Sequence, residues 1–341
     1  MVTVKDVAEK AGVSATTVSI VINGKSKERG ITQITQDKIF QAMKELGYQP
    51  NLSARRLRAG ENEPAVIAFF WPSDFRLSIL ASFLNAYSKR IRETEFNCEL
   101  VVQTYENDAI DKFDASLLRN TYSAVIVGAC SKQDLAHLES LPLQMPVALI
   151  NRTSDVFSSV NVDNDAIGIL AAEQFMKKGY HQIAVFSSGK RFIASNQRTE
   201  AFLAASTRMG IDVDPENILQ DDSTAEGGYR MANKYCDRGL TAEAVFCDYD
   251  AIAFGAIKAF RERGIRIPEN LELLTIDITG AEMTSHASPA LSVIKMPTEK
   301  VSYAAIDLLR EKLKSNDLTP VRIEIEPELI IRESFVPERK E

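Results

Sequence analysis

Catalysis needs nucleophiles, acid–base groups or metal ligands at workable spacing, and this sequence offers few. Cys98, Cys130, Cys236 and Cys247 are scattered through apolar neighbourhoods, with no Cys-x-x-Cys pair and no nearby histidine. His137, His181 and His286 stand far apart. Neither structural zinc nor a disulfide framework fits that spacing, so no metal and no cofactor are expected. SSGKR (187–191) holds a Gly-Lys pair but lacks the earlier glycine and the following Ser/Thr of a phosphate-binding loop. GxGxxG, GxSxG and HExxH are all absent. The reading is not an enzyme.

Binding chemistry is concentrated at one end. Residues 1–60 carry ten Lys/Arg against five Asp/Glu, a net +5, and the remainder carries 30 against 42, a net −12. A small basic head on a large acidic body suits a phosphate backbone at the head only. Val4, Val7, Ala8 and Ala11 form one helical stripe that Gly12 ends. Ser14 is a good N-cap for a second helix with Val18, Val21 and Ile22 on its apolar face. Helix, short turn, capped helix is the helix-turn-helix layout. Away from the apolar face the second helix presents Ala15, Thr16, Thr17, Ser19 and Ile20. Small and hydroxyl side chains let a helix enter a major groove and touch phosphates or thymine methyls. A third helix over about 36–46 closes the core with Ile39, Met43 and Leu46.

The elements behind this head alternate short apolar strands with amphipathic helices. Strands are expected at 65–71, 98–105, 124–129 and 146–151, then at 182–188, 244–248 and 272–277. Nearly continuous apolar strands spaced by helices indicate parallel, doubly covered sheets, and two series imply two lobes with a cleft at the strand ends. The expected fold class is an α helix-turn-helix domain plus an α/β two-lobed, periplasmic-binding-protein-like domain. The expected boundaries are 1–49 for the helix-turn-helix DNA-binding domain, 50–63 for the segment linking it to the body (a hinge helix and linker by the family resemblance given below), 64–161 with 292–318 for one subdomain, and 162–291 with 319–341 for the other. The polar opening VTVKDVAEK and the lack of a long uncharged apolar run predict a reduced, cytoplasmic protein with no membrane partner.

DVAEKAGVSATTVSIVING followed by ELGYQPNLSARRLRAG resembles the lactose-repressor/GalR family of bacterial regulators, and VNVDNDAIG, QRTEAF, LLTID and ELIIRES extend the resemblance over essentially the whole chain. The resemblance implies a homodimer on near-palindromic double-stranded operator DNA, with Thr3, Asn23, Lys25 and Tyr48 joining Ser14 and the second helix as contacts. It also implies that Asn51 caps a hinge helix, Ala54 faces the minor groove, Leu57 wedges into a base step, and Arg55, Arg56 and Arg58 meet phosphates. Where the family usually carries arginine after TVS this chain has Ile20, which predicts a preference for a thymine methyl or looser specificity at that operator position. SKERGITQITQDK looks longer than the usual loop; Lys25 just before it and Lys27 and Arg29 within it either add backbone contacts or are simply solvated. No leucine-heptad tail follows Phe335, which favours a dimer over a tetramer.

The resemblance further implies a small-molecule effector, a sugar, sugar phosphate or related polar metabolite, held between the lobes by Phe75, Arg76, Asn151, Arg152, Asp163, Arg198, Ser223, Tyr249 and Asp277. Ser223 stands where the family often stacks an aromatic ring, Tyr249 where an asparagine is common, and Arg76 where a second aromatic is frequent. Fewer apolar platforms and an added cation predict a polar effector, phosphorylated or carboxylated among the options. The function expected is a repressor whose operator affinity follows that effector. The alternative is a cytoplasmic solute-binding or sensor protein whose pocket is degenerate or answers to a protein partner.

Overall fold

The structure is a computed structural model that describes residues 3–22, 26, 29–46, 64–74, 77–113, 121–188, 193–278 and 280–336. It begins with three helices, α1 (Val4–Ala11), α2 (Ala15–Ile22) and α3 (Gln33–Leu46). Thr3 starts α1 with a capping box: its hydroxyl accepts from the Asp6 N–H, and the Asp6 carboxylate accepts from the Thr3 N–H at 2.6 Å. Gly12, at φ 68°, ends the helix in the left-handed region that disfavours a side chain. The Ser14 hydroxyl accepts from the Thr17 N–H at 3.0 Å and opens α2. Helix α3 begins at Gln33, ahead of the expected start, because the Thr32 hydroxyl accepts from the Thr35 N–H and Gln36 donates back to the Ile31 carbonyl. Val7, Ala8, Val18, Val21, Ile39 and Ala42 are buried together as the core of this unit.

The body contains β1 (Ala65–Pro72), α4 (Leu77–Glu93), β2 (Cys98–Tyr105), β3 (Ala124–Gly128), α5 (Lys132–Ser140), β4 (Val147–Ile150) and β5 (Ser158–Val162). It continues through α6 (Asn164–Lys177), β6 (Ile183–Ser187), α7 (Ile193–Arg208), β7 (Ile218–Gln220), α8 (Ala225–Asp237), β8 (Ala244–Cys247), α9 (Asp250–Glu262), β9 (Glu272–Asp277) and α10 (Ala281–Ser285). Last come β10 (Ser292–Lys295), α11 (Thr298–Ser315), β11 (Arg322–Ile325) and β12 (Glu328–Ile330). One sheet runs β11-β5-β4-β3-β1-β2 and the other β12-β10-β9-β8-β6-β7; every pairing is parallel except β10 with β12.

The chain therefore crosses between sheets three times, after Val162, after Lys295 and after Ile325. This corrects two of the expected boundaries. Residues 292–295 stay in the second sheet, paired with β9, whereas they were expected with the first subdomain. Residues 322–325 return to the first sheet, paired with β5, whereas they were expected with the second. Ile323 and Ile325 alternate with charged residues and pack their apolar side on the core, which makes RIEI an edge strand where the body needs one.

Helices sit tightly where the sheets require it. A side chain at Gly168 of α6 would overlap the Arg198 carbonyl oxygen of α7, and one at Gly255 of α9 would overlap the Ala225 carbonyl oxygen of α8. Strand order reverses between β1 and β3 in the first sheet and between β6 and β8 in the second. In open α/β sheets ligands bind beyond the carboxyl ends of strands at such reversals. Here those ends carry Trp71 and Ala129, and Ser188 and Asp248.

Candidate functional site: a DNA-reading helix and an interlobe cleft

Helix α2 turns Val18 and Val21 into the three-helix core. That leaves Ala15 and Thr16 fully exposed, and Thr17, Ser19 and Ile20 half-buried along the outer surface. Ser14 is exposed, and its hydroxyl is already engaged with Thr17, 2.8 Å from that residue's own hydroxyl. Thr3 is exposed and engaged in the capping box. Both therefore hold the ends of the two helices in place, and the free outer surface belongs to residues 15–20. Asn23, Lys25, Tyr48, Asn51, Ala54, Arg55, Leu57 and Arg58 lie outside the described residues, as do Arg56 and Lys27. Arg29 is described and exposed.

Between the lobes lies a cavity of about 260 Å³. Of the candidate effector residues, Asn151, Arg152, Arg198, Ser223 and Tyr249 line it. Asn151 and Ala129 end β4 and β3 in left-handed backbone, at φ 54° and 55°. Asparagine tolerates that conformation and alanine does not, so strain gathers on the cavity wall, as it commonly does at binding sites. The Asn151 Oδ1 accepts from the Val162 N–H at 3.0 Å, which ties the end of β4 to the first crossing. Arg152 is braced by its own neighbourhood, Nε donating to the Cys130 carbonyl and Nη1 to the Asn151 carbonyl.

Arg198 is the deepest cation on the wall, 6 % exposed. Its Nε donates to Asn164 Oδ1 at 2.9 Å, and its Nη1 has no hydrogen-bond partner among the described residues. Burial pulls its pKa down to about 10, against the opposing field of Asp248. A buried donor without a partner costs about 1–3 kcal/mol, more when charged, and an acceptor entering the cavity recovers it. Beside it Asp248 is fully buried. Burial pushes its carboxyl pKa up, and donors from Ser195 Oγ (2.6 Å), Ser188 N (3.0 Å) and Ser188 Oγ (3.0 Å), all on Oδ2, together with the Arg198 charge, oppose that shift.

Asp163 and Asp277 do not line this cavity. The Asp163 carboxylate accepts from the Ala166 N–H at 2.9 Å and caps α6 at the first crossing. Asp277 accepts from the Gly280 N–H at 2.9 Å and from the Thr284 hydroxyl at 3.4 Å, and borders a neighbouring hollow with Lys295 and Glu328. Phe75 and Arg76 lie outside the described residues.

Sequence reasoning missed Trp71, Phe83, Ser195 and Asp248. The first three line the cavity. Trp71 and Phe83 pack with ring centroids 5.2 Å apart, so aromatic surface comes from β1 and α4 rather than from position 223. The scarcity of apolar platforms expected from Ser223 is corrected accordingly. The strand-end rule pointed to Trp71 and Asp248, since each stands at the carboxyl end of a strand beside a reversal of strand order. Among the described residues no group of three or more His, Cys, Asp or Glu could hold a metal ion, and no helix is long and apolar enough to cross a membrane.

Known proteins share this arrangement. Residues 3–51 match the model of bacterial regulatory proteins of the lacI family, and residues 172–335 match a periplasmic binding protein-like domain. The HTH-type transcriptional repressor PurR of Yersinia pestis bv. Antiqua is 30% identical over 348 residues, covering 98% of this chain and 97% of the relative. PurR of Pasteurella multocida is 29% identical, with 98% of each chain covered. A LacI family transcription regulator from Clostridium acetobutylicum superposes with a TM-score of 0.76 at 28% identity, over 79% of this chain and 100% of its own. The lac repressor dimer bound to operator and an anti-inducer shares the fold at a TM-score of 0.69 and 24% identity, over 98% of this chain and 99% of its own. A helix-turn-helix unit joined to two parallel-sheet lobes, matched end to end by repressors of the same architecture, places the chain in one group: it belongs to the LacI family of bacterial regulatory proteins.

Proposed function

We propose that the chain is a transcriptional repressor acting as a homodimer on operator DNA, with its operator affinity set by a small molecule bound between the lobes. The observation that carries the reading is Arg198, a buried guanidinium on the cavity wall whose Nη1 has no partner among the described residues. The cleft is read as a binding site without catalysis, and the cytoplasm as its location. The operator bound by the lac repressor dimer belongs to that protein, and supports the reading for this one by analogy of architecture only.

The coupling follows from the topology. Three strand-to-helix or strand-to-strand crossings join the lobes, and a ligand gripped by both lobes favours one relative arrangement of them. The segment leading from the helix-turn-helix unit enters the first lobe at β1, whose far end supplies Trp71 to the cavity. A ligand shifts DNA affinity only by its differential affinity for the two arrangements, typically about 1–3 kcal/mol. Major-groove contact is assigned to Ala15, Thr16, Thr17, Ser19 and Ile20 of α2, minor-groove contact to Ala54 and Leu57 on a helix capped by Asn51, and effector contact to Asn151, Arg152, Arg198, Ser223 and Tyr249.

Selection of bound DNA from a random pool by the full-length chain tests the reading. A near-palindromic consensus is expected, with thymine favoured opposite Ile20. No enrichment would contradict the function, and a strongly required guanine opposite Ile20 would contradict the assignment of that contact.

A further inference from the structure

We propose that Asp248 sets the charge of the ligand, making the cleft select an uncharged compact ring compound with an amide edge over the corresponding carboxylate. The inference rests on the reading of the cleft as the effector site.

Helix α7 presents Ser195 and Arg198 to the cavity from one face, three residues apart. Asp248 accepts from the Ser195 hydroxyl at 2.6 Å, and its field acts on the Arg198 charge. Ser188 lies 2.8 Å from Ser195 Oγ and also donates to Asp248. With its proton directed at the carboxylate, Ser195 offers the cavity a lone pair, an acceptor. Arg198 offers Nη1, a donor with no partner among the described residues. A donor and an acceptor side by side match a carboxamide, whose carbonyl meets Arg198 and whose N–H meets Ser195.

A carboxylate matches neither the charge nor the pattern. Its second oxygen would face the Ser195 lone pair, and its charge would meet the field of Asp248, itself fully buried with Oδ1 unpartnered among the described residues. Like charges sharing a site of low dielectric disfavour one another strongly. The lining also holds Arg152 and Asp74, one charge of each sign. The rest of the wall suits a ring. Trp71 and Phe83, inclined at 48°, join Ile79, Met296 and Val301 in an apolar bed. About 260 Å³ is slightly below the roughly 300–1,000 Å³ of drug-sized sites, which limits the ligand to a small one.

The test uses matched probes on the full-length protein: benzamide against benzoate, nicotinamide against nicotinate, and cyclohexanecarboxamide against cyclohexanecarboxylate. Affinities are measured by thermal shift and calorimetry for the wild type, Asp248→Asn and Ser195→Ala, with binding to the selected operator as the check on folding. The wild type is expected to bind the amides in preference. In D248N the carboxylates gain about tenfold or more, the size expected for removing one nearby like charge. In S195A the amides weaken while the carboxylates do not, which keeps the proposal testable if D248N fails to fold. Carboxylates preferred by the wild type, an unchanged ranking in D248N, or no binding by any pair would each overturn it. Binding of the carboxylates in that case leaves the cleft as effector site, and operator release by an unrelated compound does the same; only loss of both would take that reading down too.

Discussion

The three-helix unit and the two-lobed body bury apolar surface on different scales, and each places its chemistry accordingly. The unit buries small side chains, Val7, Ala8, Val18, Val21, Ile39 and Ala42. A core of that size has no capacity to house charge, so its working groups stay outside, on the surface of α2. The body buries Phe69, Phe175, Phe202, Phe246 and Phe260 under covered sheets. It can hold Arg198, Asp248, Lys178 and Glu272 away from water, each compensated by a partner. The difference implies that function is separable from stability in the unit and entangled with it in the body.

The largest effect should come from breaking a compensated charge in the body. Lys178 bonds both Glu272 oxygens at 2.6 Å and the Val336 carbonyl at 2.9 Å, with only 13% and 7% of the two side chains exposed. Lys178→Met leaves the Glu272 carboxylate buried without its cation, and should cost about 3–5 kcal/mol in denaturant unfolding. A loss under 1 kcal/mol would show that this lobe admits water where it is drawn dry. Next, Ile39→Ala should cost the three-helix unit about 2–5 kcal/mol. DNA binding should vanish while the melting transition of the body stays in place; a body transition that moves with it would end the claim of separability.

Ser14→Ala removes the cap of α2 and should cost about 1 kcal/mol, with a loss of operator affinity through fraying of the helix. Replacement by aspartate, another good cap, restores the melting temperature if capping is the role of Ser14. The smallest effect on folding belongs to Thr16, exposed on α2. Thr16→Ala should leave stability within about 0.5 kcal/mol, yet weaken the selected operator by about 1 kcal/mol, the worth of one hydrogen bond. Unchanged affinity would move the contact surface off this helix.

The same contrast governs what could be read from sequence. The helices of the unit are local objects: a 3.6-residue stripe, Gly12 and Ser14 announce them, and only the start of α3 moved, since Thr32 supplies an earlier cap. The central strands of the body are apolar runs and stand out equally well. The strands that escaped are β5, β7, β10, β11 and β12. Ser158 and Ser159 look like loop residues, yet β5 is buried, because the Ser158 hydroxyl accepts from the Val321 N–H 163 residues away. No periodicity reports such a partner, and for the same reason residues 292–295 and 322–325 were placed in the wrong lobes. In the cleft, Asn151, Arg152, Arg198, Ser223 and Tyr249 came from resemblance and share one cavity. Asp163 and Asp277 each have one carboxylate oxygen committed to a backbone N–H group, which composition cannot reveal. Asp248 was missed because an acidic residue in an apolar strand end has meaning only beside the arginine it faces.

The central claim is that occupancy of the cleft is felt at the DNA-reading end. The direct measurement is operator affinity of the full-length chain, with and without a saturating compound that thermal shift shows to bind, for the wild type and for Arg198→Met. The account predicts a change of about 5- to 150-fold in the wild type, absent in R198M because the compound no longer binds. An operator affinity indifferent to a compound bound in the wild-type cleft would contradict it.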